Sequence, residues 1–246
     1  MNTIKFDKKA SKMVAHRGLS GLETENTLAA FTAAGQRTYF GVECDVHRTA
    51  DGKFVVIHDD NTKRVAGDHL VIEETSFDLL RKVVLKNRDP KLPIAECPKD
   101  RADLIIPTLK EYIAICKKYD KICVLELKNR FEPEDLAKIV EEIRGVGYLE
   151  GVIFISFALE NLIDMRAMLP EQPLQYLVSA YSAEVRETLN KYHMDLDIYF
   201  KGLTEEALAE VHADGHVVNV WTVDTAEDGE RMAAWGVDMI TSNILE

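Results

Sequence analysis

Residues 121–156, with the sequence KICVLELKNRFEPEDLAKIVEEIRGVGYLEGVIFIS, contain one complete strand–helix–strand pattern. The apolar runs Ile122–Glu126 and Val152–Ile155 are rich in Val and Ile, as buried strands are. Between them, Pro133 precedes the helical stretch Glu134–Arg144, and proline is favoured at the first position of a helix. The segment therefore predicts two parallel strands joined by a helix.

The same alternation recurs along the chain in both directions. Apolar runs predict six further strands, at Met13–Ala15, Gly41–Asp45, Leu174–Val178, Leu196–Tyr199, Val217–Trp221 and Val237–Ile240. Helical patterns predict six further helices, at Asn26–Gln36, Thr108–Lys118, Leu159–Met168, Ala183–Tyr192, Glu205–Ala213 and Ala226–Trp235. Eight alternations within 246 residues favour an α/β fold, a closed (β/α)8 TIM barrel that forms a single domain over residues 1–246.

One segment interrupts this alternation. Asp51-Gly52 is a turn signal between Val46–Arg48 and Phe54–Ile57, and it predicts a β-hairpin that extends the second strand. Beyond the hairpin, Asn61–Ile106 lacks a clean alternation and includes a polar, proline-containing stretch. Because long insertions in compact folds usually have a function, we expect residues 61–106 to form a small cap subdomain over the strand ends. A passive surface loop is the alternative.

The composition excludes several classes of protein. Apolar residues make up 46% of the chain, which is too many for a disordered state. The chain has 30 basic and 42 acidic residues, and its net charge of −12 argues against a nucleic-acid partner. We find neither a signal-peptide pattern nor an apolar stretch of membrane-spanning length, so we expect a cytoplasmic protein. The four cysteines are scattered, which predicts reduced, buried thiols and no zinc site.

The active site of a β/α barrel lies at the carboxyl ends of its strands, so the polar residues there are the candidates for chemistry. Such residues end three of the predicted strands and the hairpin. They are two histidines, three carboxylates and two cations: His16, His58, Glu43, Asp45, Glu126, Arg17 and Lys128. Trp221 ends the seventh strand.

The spacing of the carboxylates indicates a metal site. Side chains alternate along a strand, so Glu43 and Asp45 share one face while Cys44 faces the other. Three carboxylates, with Glu126, would repel one another without a cation, and hard oxygen ligands suit Mg²⁺ or Ca²⁺ better than zinc. We therefore expect these three residues to bind a divalent cation. Separately solvated or ion-paired acids are the alternative.

The remaining polar residues at the rim suggest an anionic ligand. Arg17 and Lys128 supply positive charge, and an arginine can hold a phosphate with two parallel hydrogen bonds. His47 shares the face of the paired carboxylates and is therefore a rival to His58. The other histidines have no such neighbours, and we expect them to be surface or structural residues: His69, His193, His212 and His216.

Six strings carry a family resemblance. They are V-A-H-R-G (Val14–Gly18), E-N-T-L-A-A-F (Glu25–Phe31), G-V-E-C-D-V-H-R-T-A-D-G-K-F-V-V-I-H-D-D (Gly41–Asp60), I-P-T-L-K-E (Ile106–Glu111), L-E-L-K (Leu125–Lys128) and V-W-T-V (Val220–Val223). H-R-G alone is a weak signal, whereas H-R, then E-x-D, then H-D after a D-G hairpin is highly specific. Over nearly its whole length the chain resembles the glycerophosphodiester phosphodiesterases of the bacterial cytosolic type.

The resemblance implies a β/α barrel with a small inserted subdomain after the H-D motif. It implies an enzyme that hydrolyses glycerophosphodiesters to glycerol 3-phosphate and an alcohol. By motif, His16 and His58 would be the general acid/base pair. The residues Glu43, Asp45 and Glu126 would bind the divalent metal, Mg²⁺ or Ca²⁺.

Three further roles and two departures follow from the same motifs. Arg17 and Lys128 would hold the phosphate, and Trp221 would line the apolar side of the substrate. Family members often have proline before E-N-T, where this chain has Thr24, and aspartate where it has Ser242. The second departure would remove an acidic contact near the glycerol side.

Two alternatives to this function stay open at the level of sequence. Phosphatidylinositol-type phospholipases and lysophospholipase D-type barrels use similar histidine pairs, but the charged residues 61–106 lack the exposed aromatic cluster that lipid access favours. A degenerate barrel that only binds a phosphodiester would have lost a histidine or a metal carboxylate, and none is lost. We expect a small-molecule substrate, no nucleic acid and no stable membrane association. A homodimer, the preferred alcohol, the metal and the nucleophile (water or the glycerol 2-hydroxyl) are left open.

Overall fold

The barrel in the computed structural model, which describes residues 2–246, is closed by eight parallel strands. The strands, with one antiparallel addition, are β1 (Lys12–Ala15), β2 (Gly41–Arg48), β3 (Phe54–Val56), β4 (Ile122–Leu127), β5 (Val152–Ser156), β6 (Leu174–Val178), β7 (Asp195–Tyr199), β8 (Val218–Trp221) and β9 (Met239–Ser242). The order is β1-β9-β8-β7-β6-β5-β4-β2, and β1 pairs with β2 to complete the circle. The predicted TIM-barrel architecture is confirmed.

Helices lie between the strands along residues 2–246. They are α1 (Leu28–Gly35), α2 (Lys63–Ala66), α3 (Phe77–Leu80), α4 (Leu109–Lys118), α5 (Pro133–Val146), α6 (Leu159–Met168), α7 (Ala183–Tyr192), α8 (Glu205–Ala213) and α9 (Ala226–Trp235). The last four have the predicted bounds. The predicted start of α1 at Asn26 is wrong, because Thr27 has an extended backbone and its side chain caps the helix at the Ala30 N–H. None of these helices combines the length and apolar composition that a membrane span requires.

The predicted hairpin is present and positions the second histidine. β2 continues past Asp45 to Arg48, and β3 pairs with it in antiparallel register through Val46–Val56. The N–H of Ile57 then donates to the backbone oxygen of Asp45 at 3.0 Å. His58 follows directly, so the hairpin returns the chain to the strand end that carries the carboxylates.

Two apolar layers surround the strands. One lies between the barrel wall and the helices and contains Cys44 with its neighbours Val42 and Val46. The other fills the barrel interior and includes Val124 and Ile155. Cys44 therefore faces away from Glu43 and Asp45, as the alternation predicts. All four cysteines of the described chain are buried and free, as predicted.

Residues 61–106, called the insertion below, fold around a core of their own. Besides α2 and α3 they contain two single-turn 3-10 helices, Ile72–Glu74 and Ile94–Glu96. Their buried apolar residues pack together with Val55 and Ile57 of the hairpin, and they are Val65, Ala66, Ile72, Leu80, Val83, Leu85, Leu104 and Ile106. The irregular sequence thus forms a small packed unit on the hairpin.

Candidate active site

Three buried carboxylates meet at the carboxyl ends of two neighbouring strands. Glu43 and Asp45 on β2 and Glu126 on β4 are 3%, 1% and 8% exposed. The register pairs Asp45 with Glu126. One oxygen from each of the three carboxylates lies within 4.8 Å of the others. The structure thus brings together the three residues that the sequence predicts as metal ligands.

Two cations border these carboxylates. The backbone N–H of Arg17 donates to Oε2 of Glu43 at 2.7 Å, and its Nε lies 3.4 Å from Oδ2 of Asp45. Lys128 places Nζ 2.8 Å from Oε1 of Glu126 and 3.6 Å from Oδ1 of Asp45. If all five groups are ionised, three negative and two positive charges leave one negative charge in excess. The site as a whole therefore attracts a further cation.

The chemistry of the donor set fits a divalent metal ion. Oδ1 of Asp45 is buried and has no hydrogen-bond partner among residues 2–246. A buried polar atom without a partner is costly, and coordination of a cation would satisfy it. Carboxylate oxygens are the ligands that Mg²⁺ and Ca²⁺ prefer. These residues could hold such an ion.

Burial and repulsion separate the pKa values of the three acids. Burial, followed by the charge of Asp45, raises the pKa of Glu126 to about 7 and that of Glu43 well above its usual range. Burial also acts to raise the pKa of Asp45, but the charges of Arg17 and Lys128 outweigh it and hold that pKa below its usual range. Without a bound cation, Glu43 and Glu126 therefore tend to keep protons.

The loop before α1 supports the site in a way that sequence reasoning missed. Asn26 has a left-handed backbone, φ 52°, and its Nδ2 donates to Oδ2 of Asp45 at 2.7 Å. Glu25 accepts a hydrogen bond from Arg17 at 2.9 Å and two from Arg64 of the insertion at 2.7 and 2.8 Å. From sequence, the string E-N-T indicates only a helix start and a family motif. In the structure it orients the Asp45 carboxylate and the Arg17 guanidinium.

The two predicted catalytic histidines have partners of different chemistry. Nδ1 of His58 lies 2.7 Å from Oδ1 of Asp59, and Asp59 also accepts from Nε of Arg64 at 2.8 Å. Nδ1 of His16 lies 2.8 Å from Oδ1 of Asn243. A carboxylate stabilises a protonated imidazole, whereas a neutral amide oxygen does so far less.

The surroundings of the two rings also shift their pKa values. Burial, and then the charge of Arg17, lowers the pKa of His16 to about 4. Burial lowers the pKa of His58 as well, although the charge of Asp45 and the hydrogen bond with Asp59 oppose it. His16 is therefore a neutral imidazole at neutral pH, with Nε2 lying 3.9 Å from Oε2 of Glu43.

His47, the rival to His58, lies deeper. Its side chain is fully buried, and Nε2 is 3.2 Å from the backbone oxygen of His58. Nδ1 is 3.8 Å from Oε1 of Glu73 in the insertion. His47 thus packs beneath the hairpin end that carries His58, while His58 reaches the cavity described next. The remaining histidines line neither of the two cavities described in the next paragraphs; they are His69, His193, His212 and His216.

A cavity of about 100 Å³ lies in the mouth of the barrel. It is lined by seven of the eight predicted site residues: His16, Arg17, Glu43, His58, Glu126, Lys128 and Trp221. The eighth, Asp45, contacts Arg17 and Lys128 from behind. Trp221 forms an apolar side of this mouth cavity, packing at 5.7 Å between ring centroids on Phe157 and at 5.4 Å on Tyr199.

A second cavity, of about 620 Å³, adjoins the first. It lies between the barrel rim and the insertion, and His16 and Arg17 line both cavities. From the insertion it is lined by Arg64, Arg88, Pro90, Leu92, Pro93 and Ile94. We call it the outer cavity. The insertion therefore does border the space next to the catalytic candidates.

A model of the glycerophosphoryl diester phosphodiesterase family matches residues 16–246. The chain belongs to this family. It is 29% identical over 234 residues to a glycerophosphodiester phosphodiesterase of Caldanaerobacter subterraneus subsp. tengcongensis, covering 94% of this chain and 93% of that protein. A solved phosphodiesterase of Oleispira antarctica, in complex with the product sn-glycerol-3-phosphate, is similar with a TM-score of 0.85 and 27% identity, covering 98% and 96% of the two chains.

Membership of the family makes the chain a glycerophosphodiester phosphodiesterase by class. The structure shows the contacts of the two residues at which the sequence departs from the family pattern. Thr24, the first of them, donates through Oγ1 to the backbone oxygen of Lys86 at 2.7 Å and accepts from the N–H of Arg88 at 2.9 Å. Ser242, the second, donates through Oγ to Oδ1 of Asp224 at 3.1 Å. The first departure ties the insertion to the loop before α1. The second keeps a carboxylate near the end of β9, supplied by another loop.

Proposed function

We propose that this chain hydrolyses glycerophosphodiesters to glycerol 3-phosphate and a free alcohol, by metal-dependent, two-histidine acid/base catalysis. The observation that carries the proposal is the lining of the mouth cavity, where both histidines, both cations and two of the three carboxylates meet. The similar Oleispira enzyme is described in complex with sn-glycerol-3-phosphate, which supports the same product here.

Glu43, Asp45 and Glu126 would hold the metal ion, Mg²⁺ or Ca²⁺. When bound, it would neutralise charge on the phosphoryl oxygens. Arg17 and Lys128 would orient the phosphate in the mouth, because each has donors beyond those that contact the carboxylates. These charges lie in a buried site, where they stabilise developing negative charge more strongly than they would in water.

The partners of the two histidines support a division of roles. His16, whose Nδ1 contacts an amide oxygen, is suited to act as the general base through Nε2. His58 is suited to give a proton to the leaving alkoxide, because the Asp59 carboxylate at its Nδ1 stabilises the protonated ring against the burial that lowers its pKa. The base would take its proton from water or from the 2-hydroxyl of the glycerol unit, and the second route would pass through a cyclic phosphate.

The two cavities support a division of the substrate. The mouth cavity has the volume of a small group, and we infer that it takes the glycerophosphate end against Trp221. The alcohol would extend into the outer cavity, where the insertion covers the rim. The insertion would then act as a cap that selects among alcohols.

Lipid substrates are the second candidate, since a rim aromatic, Phe157, is 48% exposed. Within the insertion, however, the large apolar side chains that are exposed are Leu79 and Leu92, and no aromatic residue of residues 61–106 is among them. The outer cavity is also lined by three arginines, Arg17, Arg64 and Arg88, which suit a polar ligand better than an acyl chain. Water-soluble glycerophosphodiesters are therefore favoured.

The test is an assay coupled to glycerol 3-phosphate release. Glycerophosphocholine should be hydrolysed in the presence of Mg²⁺ or Ca²⁺ and not after EDTA treatment. Lysophosphatidylcholine and phosphatidylinositol do not release glycerol 3-phosphate, so they are assayed in parallel by the release of choline and of inositol or inositol phosphate, and both should react far more slowly. The His16→Ala and His58→Ala variants serve as controls for contaminating activity. Faster turnover of either lipid, or a phosphate-containing product other than glycerol 3-phosphate, would contradict the proposal.

A further inference from the structure

A chain of hydrogen bonds leads away from His16 on the side opposite the metal site. Nδ1 of His16 lies 2.8 Å from Oδ1 of Asn243. Nδ2 of Asn243 donates to Oδ2 of Asp224 at 2.6 Å, and its backbone N–H donates to Oδ1 of Asp224 at 2.8 Å. Asp224 also accepts from Oγ of Ser242 at 3.1 Å. The loop after β8 therefore fixes the position of the loop after β9.

The chemistry of these groups settles the direction of each bond. The carboxylate of Asp224 only accepts, so the amide of Asn243 must turn its NH₂ group toward Asp224 and its oxygen toward His16. An amide oxygen also only accepts, so His16 must donate from Nδ1–H. Oγ of Ser20 lies 2.6 Å from the same oxygen and 2.7 Å from the backbone oxygen of His16, and its single proton is shared between these two acceptors. Nothing else in this group of contacts lets Nδ1 act as an acceptor.

We propose that Asp224 is a positioning residue, which acts through the amide of Asn243 to hold His16 in the Nδ1–H form with the lone pair of Nε2 directed toward Glu43 and the mouth cavity. The inference rests on the proposed function for its effect on catalysis, since it assigns how the proposed base is prepared.

Loss of Asp224 would free the amide of Asn243 to rotate. The NH₂ group could then donate to Nδ1 of His16, and this would favour the tautomer that carries its proton on Nε2. That tautomer has no lone pair toward the mouth and cannot remove a proton there, although its ring occupies the same place. The comparable loss of a carboxylate behind a catalytic histidine acts through the same tautomer change.

The test measures the tautomer directly. Long-range ¹H–¹⁵N correlation spectra of the ¹⁵N-histidine-labelled full chain, saturated with Mg²⁺ near pH 7.5, distinguish Nδ1–H from Nε2–H, and His16→Gln assigns the signal. The wild type should show Nδ1–H. In Asp224→Ala the signal should change to Nε2–H, and kcat should fall by roughly 10–100-fold with little change in KM, the scale of a lost supporting partner. Asp228→Ala, which removes a carboxylate bonded to Thr225 and Arg231 on the next helix, should change neither.

A double variant that exchanges Asp224 and Asn243 tests whether the tautomer and the activity can be restored. In Asp224→Asn combined with Asn243→Asp the carboxylate contacts His16 directly, so the Nδ1–H form and most of kcat should return. The inference is overturned if Asp224→Ala keeps the Nδ1–H form, if it loses activity without a tautomer change, or if the double variant shows Nε2–H. The spectra do not depend on any substrate. A wild type with the expected tautomer that is inactive on every glycerophosphodiester would therefore contradict the proposed function alone.

Discussion

Asp45 on β2 and Glu126 on β4 are register partners in the barrel wall, so their carboxylates lie side by side at the mouth. Nζ of Lys128 lies 2.8 Å from Oε1 of Glu126 and 3.6 Å from Oδ1 of Asp45. Arg17 lies 3.4 Å from Asp45, and Glu43 adds a third acid within 4.8 Å, so two cations face three buried carboxylates. A bound divalent cation would balance the excess negative charge of these buried carboxylates.

Activity should therefore depend on a divalent metal. Exhaustive dialysis against EDTA should abolish turnover, and Mg²⁺ or Ca²⁺ should restore it. Asp45→Asn should weaken metal binding by more than about 10-fold, measured by isothermal titration calorimetry, because it removes a carboxylate whose Oδ1 has no hydrogen-bond partner among residues 2–246. Glu134→Gln, an exposed acid in the first turn of α5, is the matched control. Full activity of the dialysed enzyme would refute the site.

The two histidines of the mouth should both be essential. His16→Ala and His58→Ala should each lower kcat by roughly 10²–10⁴-fold, the scale of positioned acid–base groups. Since both act in one step, the double variant should be less than multiplicatively worse. His47→Ala should be much milder, because its Nε2 contacts only the backbone oxygen of His58. A crippled His47→Ala enzyme with an active His58→Ala enzyme would reverse the assignment.

Cys44 tests the strand register behind the metal site. Its side chain is fully buried in the layer between barrel and helices. Cys44→Ala should lower the free energy of unfolding by about 1 kcal/mol, through lost packing, and leave metal affinity unchanged. Cys44→Asp should not fold, because it buries a charge without a partner. Urea unfolding and metal titration check both variants, and a soluble, active Cys44→Asp enzyme would contradict the register.

The pair of Asp59 and Arg64 should make part of the stability depend on pH. Burial acts to raise the pKa of Asp59, but the hydrogen bonds from Arg64 and His58 outweigh it and lower the pKa to about 2. A carboxyl with a lowered pKa in the folded state stabilises the fold above about pH 4, and this contribution is lost as the pH falls toward 2. The difference in unfolding free energy between wild type and Asp59→Asn should thus be larger at pH 6 than at pH 3. In an Arg64→Met background this pH dependence should weaken, and a difference that stays constant would refute the pairing.

The local sequence pattern predicts the barrel and the polar residues at its mouth, because both depend on rules that act over a few residues. The alternation along β2 separates Cys44 from Glu43 and Asp45, and the parallel strands bring their carboxyl ends together. The supporting contacts could not be predicted in this way. His16 and Asn243 are far apart in the chain, and Asn26, whose backbone is left-handed, reaches Asp45 from a turn outside the strands. The interior of the insertion likewise depends on tertiary packing and shows no period.

The insertion should determine which alcohol is accepted, while the mouth recognises the glycerophosphate end. Removing residues 61–106 altogether would be a poor test, because Arg64 holds both Glu25 and Asp59 and its loss alone should lower the rate.

Point variants at the wall of the outer cavity avoid that problem. Arg88→Ala and Leu92→Ala remove side chains that line it, and neither lies in the mouth cavity. We expect their kcat/KM values for glycerophosphocholine, glycerophosphoethanolamine and glycerophosphoglycerol to change by different factors, because the mouth meets the same atoms in all three substrates and only the alcohol reaches this wall. Leu79→Ala, which removes another exposed leucine of the insertion outside the cavity, should leave the ratios unaltered. If Arg88→Ala and Leu92→Ala keep the wild-type ratios as well, the insertion is a passive surface loop and selection among alcohols resides elsewhere.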